Sequence, residues 1–86
     1  MRYSGTWLTP ADETILEHLR EYGPTTLESL VDRRGIVYSE AYIEERCTTL
    51  VGRGRLVTFA DGRYRLTERG AAYLNGELDP TELERE

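Results

Sequence analysis

A chain of 86 residues, 38% hydrophobic and 31% charged, suits one domain with one modest core. It contains no apolar run that spans a membrane and no apolar stretch of the signal-peptide kind, and its single cysteine excludes an internal disulfide and a paired-cysteine metal site, so a cytoplasmic protein is expected. The formal net charge is -5, and all eleven cations are arginine, a composition that resembles proteins of salt-accumulating cells.

An acidic balance argues against a uniformly basic surface for nucleic acid, but the charge is segregated. Residues 53–65 hold Arg53, Arg55, Arg63 and Arg65 against Asp61, a net +3. Residues 38–50 hold Arg46 against Glu40, Glu44 and Glu45, a net -2. The end of the chain is acidic again.

The first element is marked by Thr9-Pro10-Ala11-Asp12. Thr9 and Asp12 form a capping box, and Pro10 loses nothing at the first helical position. Ala11, Ile15, Leu16, Leu19 and Tyr22 continue at helical spacing until Gly23-Pro24 stops them. Thr25-Thr26-Leu27-Glu28 reads as a second capping box, opening a short helix with Leu27, Leu30 and Val31 on one stripe. Gly35 suits its left-handed exit. Ser39 caps a third helix with Ile43, Cys47, Leu50 and Val51 inward, ended by Gly52 or Gly54.

Two β runs follow, over residues 55–60 and 63–67, joined by Asp61-Gly62. That pair fits a type I′ turn, which needs positive φ at both positions. A two-residue turn fixes the register, so Val57, Phe59, Tyr64 and Leu66 are expected on the buried face and Thr58, Arg63 and Arg65 on the other. Residues 68–78 predict a last helix with Ala71, Ala72, Tyr73, Leu74 and Leu78. The domain is placed at residues 1–79, with an acidic, fraying tail at 80–86. Three helices, a hairpin and a helix make a mainly α fold with a small β-hairpin wing, a winged helix-turn-helix.

Several stretches carry a resemblance. They are Gly5-Thr6-Trp7-Leu8-Thr9-Pro10 with Asp12, Ile15-Leu16 and Leu19, then Tyr42, Ile43, Arg46-Cys47, Leu50 and Gly54. Tyr64-Arg65-Leu66-Thr67-Glu68-Arg69-Gly70, Tyr73-Leu74 and Gly76-Glu77-Leu78 complete the set. On these residues the chain resembles the haloarchaeal phage phi-H repressor-like family of winged-helix proteins. The resemblance implies a DNA-binding transcriptional regulator, often dimeric. The chain departs from the family on the outer face of the third helix. Family members carry Arg, Gln, Asn or Lys there, and this chain carries Glu40, Ala41, Glu44, Glu45, Thr48 and Thr49.

At about 100° per residue, Ala41, Tyr42, Glu45, Thr48 and Thr49 lie opposite the buried stripe. Glu45 can accept from cytosine N4, and Thr48 and Thr49 can meet phosphate or a thymine methyl. Tyr42 and Ser39 can reach phosphate. The candidate DNA-binding set is therefore Ser39, Ala41, Tyr42, Glu45, Arg46, Thr48, Thr49, Arg53, Arg55, Arg63 and Arg65. Each basic member also has a plainer reading. Arg63 and Arg65 could be solvated edge charges that discourage edge pairing, and Arg53 and Arg55 could complement the third helix's dipole. Arg33 and Arg34 could do the same for the second helix. Cys47 and Trp7 are expected to pack, and His18 to be structural or solvated.

No Ser/His/Asp set, phosphate loop or HExxH motif supports an enzyme, and no cofactor is implied. Two functions remain. One is a repressor-like regulator of double-stranded DNA with a recognition helix and an arginine wing. The other is a winged-helix interaction module that has lost DNA and meets a protein partner through its acidic third helix. A homodimer is expected under either, built on the terminal apolar residues Tyr3, Trp7, Tyr73 and Leu74.

Overall fold

The computed structural model describes residues 7–32 and 38–78. The element order is α1 (Pro10–Tyr22), α2 (Leu27–Asp32), α3 (Glu40–Gly52), β1 (Val57–Ala60), β2 (Arg63–Leu66) and α4 (Glu68–Leu74), the expected winged helix-turn-helix order. Gly35, Arg33, Arg34, Tyr3 and the acidic tail fall outside the described residues.

The capping box of α1 forms as its sequence requires. The Thr9 hydroxyl accepts from the Asp12 N–H at 3.3 Å, and Asp12 Oδ2 accepts from the Thr9 N–H at 2.9 Å. Gly23, at φ 79°, ends the helix. The second cap falls one residue later than expected. Thr26, not Thr25, accepts from the Ser29 N–H at 3.1 Å. Thr25 is taken elsewhere, because it forms an antiparallel bridge with Tyr64 of the hairpin. Its N–H donates to the Tyr64 carbonyl at 3.0 Å, and its carbonyl accepts from the Tyr64 N–H at 2.8 Å. Backbone pairing to the wing outcompetes the cap there.

Ser39 caps α3 by accepting from the Tyr42 N–H at 3.2 Å. The helix runs to Gly52 and buries Ile43, Cys47 and Leu50. Gly54 and Arg55 then both adopt positive φ, 79° and 52°, so the first strand begins at Val57 rather than residue 55. The tight turn is tied down from α4. Arg69 Nε donates to the Gly54 carbonyl at 2.7 Å, and the Thr67 hydroxyl donates to the Arg55 carbonyl at 2.8 Å. Leu56 is consequently fully buried, beside Val57.

The hairpin register is the expected one, Val57 to Leu66, Thr58 to Arg65, Phe59 to Tyr64 and Ala60 to Arg63. Asp61 and Gly62 both carry positive φ, 55° and 77°. Phe59 corrects the predicted buried face, since it remains 51% exposed. It shares a face with Val57 and Tyr64 but sits nearer the tip, past the end of the core.

The last helix stops at Leu74 instead of residue 78, because the chain leaves it through Asn75 and a positive-φ Gly76. Gly70 lets α4 press against the root of the wing. A Cβ there would collide with the Leu56 carbonyl and stand 2.6 Å from Leu66 Cδ1. Tyr73 and Leu74 are buried at 1% and 4% exposure within this chain's own core, alongside Ile15, Leu16, Leu19, Leu30, Ile43 and Leu50. They are therefore not available as a dimer surface, which corrects that expectation. Burying both closes the helical layer, and the Tyr73 hydroxyl donates to Glu13 at 3.4 Å.

Candidate nucleic-acid interface

Helix α3 has two different flanks. Toward α1 it presents Arg46, whose Nε donates to Asp12 Oδ1 at 2.8 Å and whose Nη2 donates to Asp12 Oδ2 at 2.6 Å. Asp12 is fully buried, and the arginine side chain is 16% exposed. The same Nη2 reaches the Trp7 carbonyl at 3.4 Å. These hydrogen bonds to Asp12 raise the Arg46 pKa above its ordinary value, and the opposing effect of burial does not cancel them. Asp12 thus caps α1 and fixes α3 with one carboxylate. Arg46, expected among the outward residues, points inward. Its spacing from Ile43 and Leu50 places it beside the buried stripe, a signal the sequence contained. Nothing local marked Asp12 as its partner, 34 positions away.

Seven residues further on, Arg53 caps α3 on this same flank. It is exposed, and its guanidinium carbon lies 4.8 Å from the centroid of the Trp7 ring.

The other flank faces the wing. Thr48, Val51, Gly52, Phe59 and Tyr64 line a mostly apolar cleft of about 330 Å³ between α3 and the hairpin. Phe59 and Tyr64 stack within it, ring centroids 4.7 Å apart. Arg63 and Arg65 do not line this cleft. They stand exposed with Thr58 on the hairpin's opposite face.

Between the flanks, Ala41, Glu44, Glu45 and Thr48 are exposed, and Glu40 lies in the first turn. Tyr42 is half-buried, its ring 5.5 Å from that of Tyr38. The Thr49 hydroxyl donates to the Glu45 carbonyl at 2.9 Å, so its proton is turned along the helix rather than outward. Ser39 is exposed, with its oxygen accepting as the helix cap. Arg55 is exposed on the left-handed turn before β1. The structure therefore brings Thr48 to the wing and Arg53 to Trp7. It separates Arg63 and Arg65 from the α3 cleft and withdraws Arg46 from the surface. Two further residues stand at these flanks: Trp7, expected only to pack, lies against Arg53, and Phe59, expected to be buried, lines the cleft.

Below this surface, burial pushes the Cys47 thiol up to about 12, with smaller contributions from the negative charges of Asp12 and Glu44. Its place in the core fits the expectation of a packing residue. His18 is buried at 9% exposure with its ring 4.7 Å from that of Tyr22. Among the described residues no group of three or more His, Cys, Asp or Glu is arranged to hold a metal ion, and no helix is long and apolar enough to cross a membrane.

Known proteins share this fold. The model of the winged helix-turn-helix phage repressor family matches residues 1–86. A repressor protein of Halobacterium phage phiH is 39% identical over 84 residues, with 92% of each chain covered. The crystal structure of the PhiH1 repressor-like protein from Haloarcula marismortui matches at 39% identity with a TM-score of 0.84, covering 98% of this chain and 96% of that one.

Proposed function

The chain belongs to the winged helix-turn-helix phage repressor family, a family of DNA-binding regulators and not of enzymes, and from that premise we propose that it is a cytoplasmic, repressor-like regulator that reads double-stranded DNA with α3. The observation that carries the reading is the exposure of Arg53 beside α3 on one flank and of Arg63 and Arg65 on the outer face of the hairpin that packs against the other. A helix lodged in a major groove has a phosphate strand on each side. Ala41, Glu45 and Thr48 then face base edges, with Tyr42, Ser39 and Thr49 near the backbone. Glu45 suits a cytosine amine and Thr48 a thymine methyl. Arg46 contributes from inside by fixing the angle at which α3 leaves α1.

Electrostatic binding is modest on this reading. Phosphate contacts by Arg53, Arg55, Arg63 and Arg65 give a salt slope of roughly -3.6. Four contacts are few for one protomer, so a homodimer spanning two half-sites supplies the rest by avidity. Fluorescence anisotropy against random duplex DNA, repeated from low to molar salt, tests the reading. Binding with a slope near that value supports it, and no binding at low salt by a folded protein overturns it.

One observation favours a second reading. Glu40, Glu44 and Glu45 are all exposed, so α3 carries negative charge into any groove. A winged-helix module that meets a basic protein partner through α3 fits that surface. It gains if DNA does not bind and a partner is recovered that charge reversal at Glu44 and Glu45 releases.

A further inference from the structure

Trp7 is the chain's single tryptophan, and it is held from two directions. Its ring packs partly buried against the core, and its carbonyl accepts from Arg46. The Arg53 guanidinium carbon lies over this ring, 4.8 Å from its centroid. A cation held over a ring by the ring's quadrupole keeps its five N–H donors for hydrogen bonds. An arginine held this way can still grip a phosphate, and it does so with fewer rotamers to order on binding. The position matters as well. Arg46 and Arg53 are seven residues apart on one flank of α3, and the apolar cleft with Phe59 is on the other. Arg53 is thus an arginine of the α1-side flank of α3 that is exposed to solvent, where Arg46 is not.

We infer that Trp7 is a positioning residue for DNA: it holds the Arg53 guanidinium ready for a backbone phosphate on the side of α3 away from the wing. The inference rests on the DNA-binding reading above. A tryptophan that served only to brace the fold would change stability and leave the phosphate contact intact.

The test is a double-mutant cycle on the full chain, read by anisotropy against a random-sequence duplex over a range of salt. Circular dichroism and a thermal melt check that each variant is folded. Arg53→Ala is expected to flatten the salt slope by about 0.9, one phosphate contact. Trp7→Leu is expected to weaken binding about 3-fold, the cost of ordering a freed Arg53 side chain on binding. In the Trp7→Leu background, Arg53→Ala should cost clearly less than it does in the parent. Trp7→Phe, which restores a ring, should recover part of the loss. If Trp7→Leu does not fold, the cycle is run with Trp7→Phe, where the Arg53→Ala cost should again be smaller than in the parent. Equal costs in both backgrounds overturn the positioning role while leaving the phosphate contact standing. An unchanged slope in Arg53→Ala overturns the contact and the inference with it. Failure of the parent to bind any duplex removes the DNA-binding reading itself.

Discussion

The two flanks of α3 are built on opposite physics. On the α1 side a buried carboxylate and an arginine lock the helix by direct hydrogen bonds of 2.6 and 2.8 Å. On the wing side the contact is apolar and partly open, a cleft with a half-exposed phenylalanine at its lip. The difference teaches that an arginine count says little about where positive charge is available. One of the arginines of α3 is consumed in holding the helix, and a flank that looks basic in sequence is greasy in space. A locked flank fixes the helix's angle. A cleft leaves room for the wing to adjust.

The sharpest way to break the comparison is Arg46→Met. It keeps the apolar stem and leaves Asp12 buried without its cation, which is expected to cost about 3 kcal/mol by urea denaturation. A loss near zero would mean that the α1 side is held by apolar packing like the wing side. Gly70→Ala attacks the root of the wing instead. The added methyl meets backbone at Leu56, so a loss of about 2 kcal/mol is expected.

Beneath both flanks, Cys47 reports how dry the shared core is. Its pKa is about 12 in the fold against 9.0 ordinarily. The unfolded chain therefore releases this proton first, and stability from Cys47 is complete below about pH 9 and is lost as pH rises toward 12. The loss should reach about 1 kcal/mol by pH 10, and a Cys47→Ala variant should lack this component of the alkaline decline. The thiol should also resist thiol reagents at pH 8 until the protein is unfolded. The smallest effect is expected at the lip of the cleft, where Phe59→Ala should cost about 0.5 kcal/mol because half the ring is already in water. A much larger loss would show that the wing side is as firmly packed as the other.

Much of the fold was legible in the sequence because its signals are local. Thr9 with Asp12, Ser39, and Asp61-Gly62 each fix a boundary through neighbours a few residues away, and the hairpin register followed from the turn. The departures from local signals come from distant partners. Thr25 has the local signature of a cap, and its bridge to Tyr64 is invisible locally. Residues 55–56 have the composition of a strand, and the left-handed turn at Gly54 and Arg55 is held by Arg69 and Thr67 of a later segment. The outward set on α3 was legible from helical periodicity at Ala41, Glu45 and Thr48. At Arg46 and Thr49 periodicity could not say what the polar atoms bond, and both turn out to be engaged within the chain.

The Thr25 bridge has a consequence for folding order and for engineering. Its two hydrogen bonds join residues 39 apart in sequence, whereas the Asp61-Gly62 turn closes a hairpin of adjacent strands. The hairpin closes through local contacts, but a lone two-stranded ribbon is marginal in water, so the wing is expected to gain stability once the α1–α2 connection pairs with it. The two-stranded wing is thus tied by an isolated bridge to one residue from the other half of the chain. A chimera that exchanges only residues 57–66 with a relative would leave that bridge residue behind, and should include residues 23–26 of the same donor to transplant the wing with its tie.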